Sequence, residues 1–386
     1  MGNTFTELAP ILFSAAQDVS QEPSMALDSI NMSFDDKGAA IGDTITLPLA
    51  PAASTGAYTP AMTTTVGTDK IAESIDVTIS ANQMTSWHLT GEQVRSLQNA
   101  NSDKEWVRQM IAQGMRALRN EAETALCSAI YKGASRAYGT AGTTPFASDI
   151  NDIAAIRKIL LDNGAPMSDM ALIMNSAAGF NAQKLAIIQQ AQAAGGDTER
   201  RNGTFGKQFG FNLGVSAGIS SHTAGTATGF DPDGIEPVGE TDIVCADSDA
   251  GTILAGDIVT NSTQVSAGTD LSKYVVRSGG TLTGNATGTF YLNRPGVEVA
   301  TAAGDEYVIG SDYSANIAFE RSAVVGAMRP PIIPASPLIK QMPISDGNGM
   351  TYLLCEVVGD GMVTWRLHIA YGFNAVQSEH IAILLG

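Results

Sequence analysis

From Asp103 to Tyr131 the apolar residues Val107, Ile111, Met115, Leu118, Ala122, Leu126 and Ile130 return at steps of three or four. That spacing predicts one helix, far longer than the usual globular mean of about 11–12 residues, with one side packed on a core. Just before it, Thr90-Gly91-Glu92-Gln93 has the form of a capping box and predicts the start of a shorter helix. Residues 8–19 place Leu8, Leu12, Ala15 and Val19 at helical intervals, as in a short amphipathic arm. DTITLPL and ESIDVTIS alternate at period two and predict extended strands on either side of a stretch rich in Pro, Ala, Ser and Thr. A loop this long is uncommon in a compact domain unless another molecule holds it.

Residues 150–215 read as helix, strand, helix, strand: NDIAAIRKILLDNG stopped by Gly164 and Pro166, DMALIMN, a helix after Ser176 running to Gly195-Gly196, then FGFNLGVSAGI. Residues 222–320 carry only turns and short β runs (GTILAGDIVT, KYVVRSG, TGTFYLN, GDEYVIG), which predicts a β-rich insertion. The chain closes on the strands YLLCEVV, TWRLHIAYGFNAV and HIAILLG. Helices and strands are mixed without a repeating βαβ order, so the expected class is α+β.

Length and charge narrow the function. At 386 residues the chain has room for two or three domains, or one with a large insertion. It carries 39 acids against 22 bases, a formal charge of −17, which argues against functions that grip nucleic-acid phosphates. Of the acids, 14 fall in residues 222–320 against 3 bases, so most of the negative charge sits on the insertion. Cys127, Cys245 and Cys355 are far apart in apolar contexts and read as buried free thiols, and the four scattered histidines offer no metal-ligand spacing. Neither metal nor cofactor is expected. No apolar run approaches the ~18–20 residues that span a bilayer, and the first residues lack a basic signal-peptide region, so the expectation is a soluble cytosolic product with no membrane.

Three features could carry chemistry or contacts. Gly214-Val215-Ser216-Ala217-Gly218 matches the nucleophile elbow of serine hydrolases, but ISSHTAGTATG follows where a helix should, so a strand-end turn is expected. Asp231 and Asp233, with Glu236, Glu240 and Asp242 behind them, form an acidic stretch that reads as an exposed turn, a protein contact or a calcium loop; Ile235 stands where a third ligand is needed. Arg108, Arg116 and Arg119 on the long helix, with Arg200-Arg201 and Lys207, make residues 95–207 mildly basic, 13 bases against 10 acids, which reads as a solvated or inter-subunit face ahead of a weak DNA-facing patch. No phosphate-cradling glycine motif occurs.

Several segments, taken in order, resemble the major capsid proteins of tailed double-stranded DNA phages. TWRLHIAYGFNAVQSEHIAILLG is similar to their closing strand pair through Trp365, Arg366, Tyr371, Gly372, Ala375 and Glu379. SANIAFERSAVVGAMRPPIIP is similar to their "N-x-A-F-x-x-x-A" strand through Asn316, Ala318, Phe319, Ala323, Arg329 and Pro330, and Leu254-Ala255-Gly256-Asp257 to the "x-x-G-D" strand start of an inserted domain. The resemblance spans most of the chain. It implies the Hong Kong ninety-seven type fold, in the podovirus-type branch with a telokin-like insertion. The implied parts are an N-terminal arm at 1–33, extended loop and strands at 34–89, a peripheral domain with the spine helix at 90–144, an axial domain at 145–221, the insertion at 222–320, and a return to the axial and peripheral domains at 321–386. It also implies a non-enzymatic subunit that forms pentamers and hexamers of an icosahedral head around double-stranded DNA, without sequence-specific binding. Scaffolding and portal proteins are the implied partners, the virion the location, and the host bacterial cytoplasm the place of assembly. Asp231, Asp233, Glu236, Arg108, Arg116 and Arg119 then become candidate inter-subunit contacts. The competing readings are a soluble serine hydrolase using Ser216 and a bacterial surface or adhesion protein.

Overall fold

A computed structural model describes residues 25–34, 38–49, 73–99, 103–185, 203, 205–227, 229–248, 251–261, 272–282, 288–301, 305–334, 336–345, 350–359 and 361–386. The expected arm helix at 8–19, the loop between the two early strands, Arg200, Arg201 and the continuation of the helix after Lys184 lie outside these residues. The fold is α+β, as expected.

The long helix is Asp103–Lys132, and its predicted stripe is buried from Ile111 onward: Ile111, Met115, Leu118, Ala122, Leu126 and Ile130 are all within a few per cent of full burial, while Val107 near its start is half-buried. Its N-terminal neighbour, Gly91–Asn99, starts on the predicted box, with the Thr90 amide donating to Gln93 Oε1 (3.0 Å) and the Gln93 amide donating to Thr90 Oγ1 (3.4 Å). The stripe packs on a peripheral sheet that runs Asn31–Phe34, Val324–Arg329, Met362–Ala375, Thr351–Val358, Ile339–Ser345, with Ala81–Thr90 laid along Met362–Ala375. Trp87, Leu367, Ile369 and Tyr371 meet the helix there, and Gly114 lets the helix come close, since a Cβ on it would stand 2.9 Å from Thr85 Cγ2.

The other face of the helix core is closed by a second sheet in the order Arg136–Tyr138, Ile381–Leu385, Tyr313–Glu320, Met170–Met174, Phe211–Val215, Lys207–Gln208. Its central strands are buried on both faces, and pleating divides their side chains between two cores. Ala171, Ile173, Ile317, Phe319, Ile381 and Ile383 join the long-helix core, whereas Met170, Leu172, Met174, Ala318, Ala382 and Leu384 join a core with helices Asn151–Asp162 and Ser176–Lys184. The second of these helices starts on Asn175, whose side chain accepts from the Ala178 amide at 2.8 Å.

The acidic insertion forms a closed ring of six antiparallel strands: Ile258–Asn261, Tyr307–Ile309, Gly229–Pro232, Asp242–Ser248, Gly288–Leu292 and Lys273–Ser278, the last pairing back to the first. Closure removes the sheet edges that an open set of short strands would leave unpaired. The ring has its own core, in which Phe230 stacks on Tyr307 and Phe290 meets both edge to face, with centroids 4.9–6.1 Å apart.

Two segments find their partners outside the stretch of chain to which the resemblance assigns them. Tyr313–Glu320, placed at the end of the insertion, pairs with Ile381–Leu385 and Met170–Met174 in the central sheet. Arg136–Tyr138, placed with the peripheral domain, pairs with Ile381–Leu385 and with Lys273–Tyr274 of the ring, and so bridges body and insertion. Period-two alternation shows that a segment is a strand; the partner is chosen by long-range packing.

Candidate assembly surfaces

The motif residues from the sequence sit where the parts of the body are joined. Gly372 lies against the hairpin formed by Thr44–Leu49 and Glu73–Thr78: a Cβ on it would stand 2.0 Å from the Thr78 carbonyl oxygen. Beside it the Ser80 amide donates to the Tyr371 carbonyl at 3.0 Å. A Cβ on Gly133, at the end of the long helix, would stand 2.3 Å from Ala375 Cβ, so both ends of the Tyr371-to-Ala375 motif are fixed by close approach. Asn316, fully buried, accepts from the Asn175 amide (2.8 Å) and donates to the Leu384 carbonyl (3.0 Å), and Arg329 donates to the Ser33 carbonyl at 3.0 Å. Trp365 faces Trp87 across its strand pair. These residues join segments distant in sequence. Gly372→Ala is expected to cost about 2 kcal/mol by overpacking. Amide exchange should show the loss first in the Thr44–Leu49 and Glu73–Thr78 hairpin; unchanged protection there would contradict the steric account.

The neck of the insertion is built on the Gly-Asp pair of the sequence. Ser221–His222, where the chain leaves for the ring, pairs with Tyr313–Ser314, where it returns. Asp257, fully buried, accepts from His222 Nε2 (2.8 Å), the Leu254 amide (2.7 Å) and the Gly225 amide (3.1 Å). Gly256 has φ +99°, and a Cβ there would stand 2.7 Å from the Tyr131 ring. Tyr313 donates to the Gly256 carbonyl at 2.6 Å, and the rings of Tyr131, His222 and Tyr313 lie edge to face or tilted at 5.2–6.5 Å. In the sequence His222 stands apart from the other histidines, and the pair Gly256-Asp257 is the local signal for its partner. Arg136, fully buried, reaches from the body to Glu298 of the insertion and also donates to Asn163 Oδ1 at 2.6 Å.

Among the candidate contacts, Asp231 and Asp233 are exposed, and Glu236 is folded back with its amide donating to Thr301 Oγ1 at 2.7 Å. Burial raises the Glu236 carboxyl above its ordinary range, and the charges of Glu240 and Asp233 push the same way, so this end of the ring is a concentrated negative surface. Ile235 and Val238 stand out of it with 65% and 66% exposure. On the long helix, Arg108 is paired with Glu105 one turn back (2.9 Å), and Arg116 is half-buried. Arg119 corrects the sequence reading: it is 2% exposed, turned inward 3.9 Å from Asp28, because the helix Met25–Asp28 packs over it. Among the described residues no ion pair joins the acidic and basic sets.

Ser216 is also turned inward. It is 6% exposed, donates to Glu123 Oε1 at 2.5 Å and accepts from the Gly218 amide at 3.0 Å. Its proton therefore goes to Glu123, and His222 is engaged with Asp257, so among the described residues the Ser-His-Asp arrangement of a serine hydrolase is not assembled around Ser216. The three cysteines are buried, and burial pushes the Cys127 and Cys245 thiols up to about 12. Burial also raises the Glu123 carboxyl, against the Ser216 and Ala26 hydrogen bonds and the Arg119 charge. A carboxyl with a raised folded pKa adds stability that is complete below its unfolded value, about 4.3, and lost as pH rises through the folded value. Glu123→Gln should therefore flatten the fall in denaturation midpoint above that pH; a variant with the parent's pH slope would refute the assignment.

No helix among the described residues is long and apolar enough to cross a membrane. No family model matches the chain, and no curated protein does. Its course is similar to that of solved capsid structures. The capsid of cyanophage P-SCSP1u is 11% identical with a TM-score of 0.47, over 94% of this chain and 88% of that one. The mature capsid of bacteriophage PhiM1 is 8% identical with a TM-score of 0.47, over 95% and 87%. A virus-like particle from Pyrococcus furiosus is 9% identical with a TM-score of 0.43, over 97% of each chain.

Proposed function

We propose that this chain is a structural shell subunit, the major capsid protein of a tailed phage, without enzymatic activity. Copies form pentamers and hexamers of an icosahedral head, guided by scaffolding protein, closed at one vertex by a portal, and assembled in the host cytoplasm before serving in the virion. The supporting observation is the use of the motif residues: Gly372, Ala375, Asn316, Arg329 and Gly256-Asp257 all lock hairpin, long helix, central sheet and insertion to one another. A chain selected to transmit force between subunits needs rigid joints more than a reactive cleft. The charge fits the same role, since an acidic insertion on a body nearer neutrality encloses DNA without holding it. The insertion is read as the telokin-like domain of the podovirus-type branch, with its closed ring presented away from the DNA.

Electron microscopy and sedimentation of the expressed chain, with and without a scaffolding protein, test this. Capsomers or shells of uniform size are expected; a strictly monomeric chain at high concentration under both conditions would overturn it.

A further inference from the structure

Lys207–Gln208 and Phe211–Val215 form a hairpin at the outer edge of the central sheet, with Phe209 and Gly210 as its two-residue turn. Both turn residues have positive φ, +49° for Phe209 and +89° for Gly210. Such turns favour Asn-Gly or Gly-Gly, because a bulky side chain is strained at positive φ. Strain kept at an exposed position is a pointer to function. Phe209 is 43% exposed, and Lys207 beside it is exposed too.

A cleft of about 210 Å³ opens at the other side of the same sheet, lined by Tyr138, Thr143, Pro145, Leu385, Asp149 and Asp152 among others. Cavities of about 150 Å³ accept a benzene ring. Asp149 is exposed and Asp152 half-buried, so the cleft is negative where the hairpin tip is positive. Among the described residues neither Lys207 nor Asp149 takes part in an ion pair.

The tip cannot fill the cleft of its own chain. Arg136–Tyr138, Ile381–Leu385, Met170–Met174 and Phe211–Val215 all run in one direction, with Tyr313–Glu320 antiparallel between them. The cleft lies at the C-terminal ends of the first two strands, and the turn precedes the start of the last. Four strand spacings and several residues of rise place tip and cleft at opposite corners of the sheet, roughly 25 Å apart.

We propose that the Phe209 tip of one copy docks in this cleft of the next, its ring entering between Tyr138 and Pro145 and Lys207 pairing with Asp149. Tip and cleft are different surfaces, so the contact is head-to-tail and generates a ring where the rotation closes. This rests on the shell-subunit reading and supplies one of its capsomer contacts.

Phe209→Asn separates docking from folding, because asparagine accepts the turn conformation that phenylalanine resists. The variant should unfold no earlier than the parent, yet need at least about tenfold higher concentration to assemble, the effect of losing an aromatic anchor. Lys207→Glu should weaken assembly in the same direction, and Lys207→Glu with Asp149→Lys in one chain should restore it. Sedimentation and light scattering read both. A parent that assembles while Phe209→Asn assembles equally well overturns the contact alone, as does failure of the charge exchange to rescue. A parent that never assembles overturns the shell reading and the contact with it.

Discussion

Asp257→Ala is expected to lower the unfolding free energy by about 4 kcal/mol, the largest effect of any single substitution considered. The carboxylate is fully buried and accepts from His222 Nε2 and from the amides of Leu254 and Gly225. Removing it leaves three donors without their acceptor, each costing about 1–3 kcal/mol, with partial relief where water reaches Gly225. Asp257→Asn should cost about half as much, because one amide oxygen still accepts while the other position becomes a donor. Denaturant titration gives the total. Amide exchange at Leu254 and Gly225 tells whether the loss is at the neck, and a cost below about 1 kcal/mol for the alanine variant would remove Asp257 from its central position there.

The second large effect is at Arg136. Its side chain is fully buried and spans from Glu298 of the insertion to Asn163 of the body. Arg136→Ala should cost about 3 kcal/mol, from the hydrogen bonds lost and the space left in the core. Little of this is the ion pair itself, because Glu298 retains 36% exposure and is rehydrated when its partner leaves. A double-mutant cycle with Glu298→Ala should then give a coupling of only about 1 kcal/mol. A coupling near the whole cost would mean that the charge pair, and not the contact with Asn163, holds the insertion to the body.

The contact candidates from the sequence divide along the same line between local and distant causes. Asp231 and Asp233 were legible as exposed acids from the polar, proline-interrupted run around them, although no turn holds Asp231: it lies on the strand Gly229–Pro232, with Asp233 just past its end. Arg119 was not legible as buried. Its place on the helix surface follows from periodicity, but what covers it is the helix Met25–Asp28, some ninety positions earlier in the chain. Ser216 was legible as a strand-end turn from the absence of a following helix, whereas its hydrogen bond to Glu123 depends on the long helix passing beside it. The strand Ala81–Thr90 went unread because only Trp87 and Leu89 of it are buried, so its alternation carries little hydrophobic contrast.

The sequence by itself determined the elements whose signals are local: the long helix, from its stripe; the start of the helix at Gly91, from reciprocal capping by Thr90 and Gln93; strands such as Thr44–Leu49 and Glu73–Thr78, from alternation; and the α+β class, from the order of elements. Tertiary structure alone decided which strands pair, that six of them close into a ring, that Tyr313–Glu320 belongs to the central sheet, and that His222 meets Asp257. The physical reason is range. Helix periodicity and capping act within a turn or two of chain, while strand pairing and buried hydrogen bonds join positions whose proximity exists only after the cores have formed.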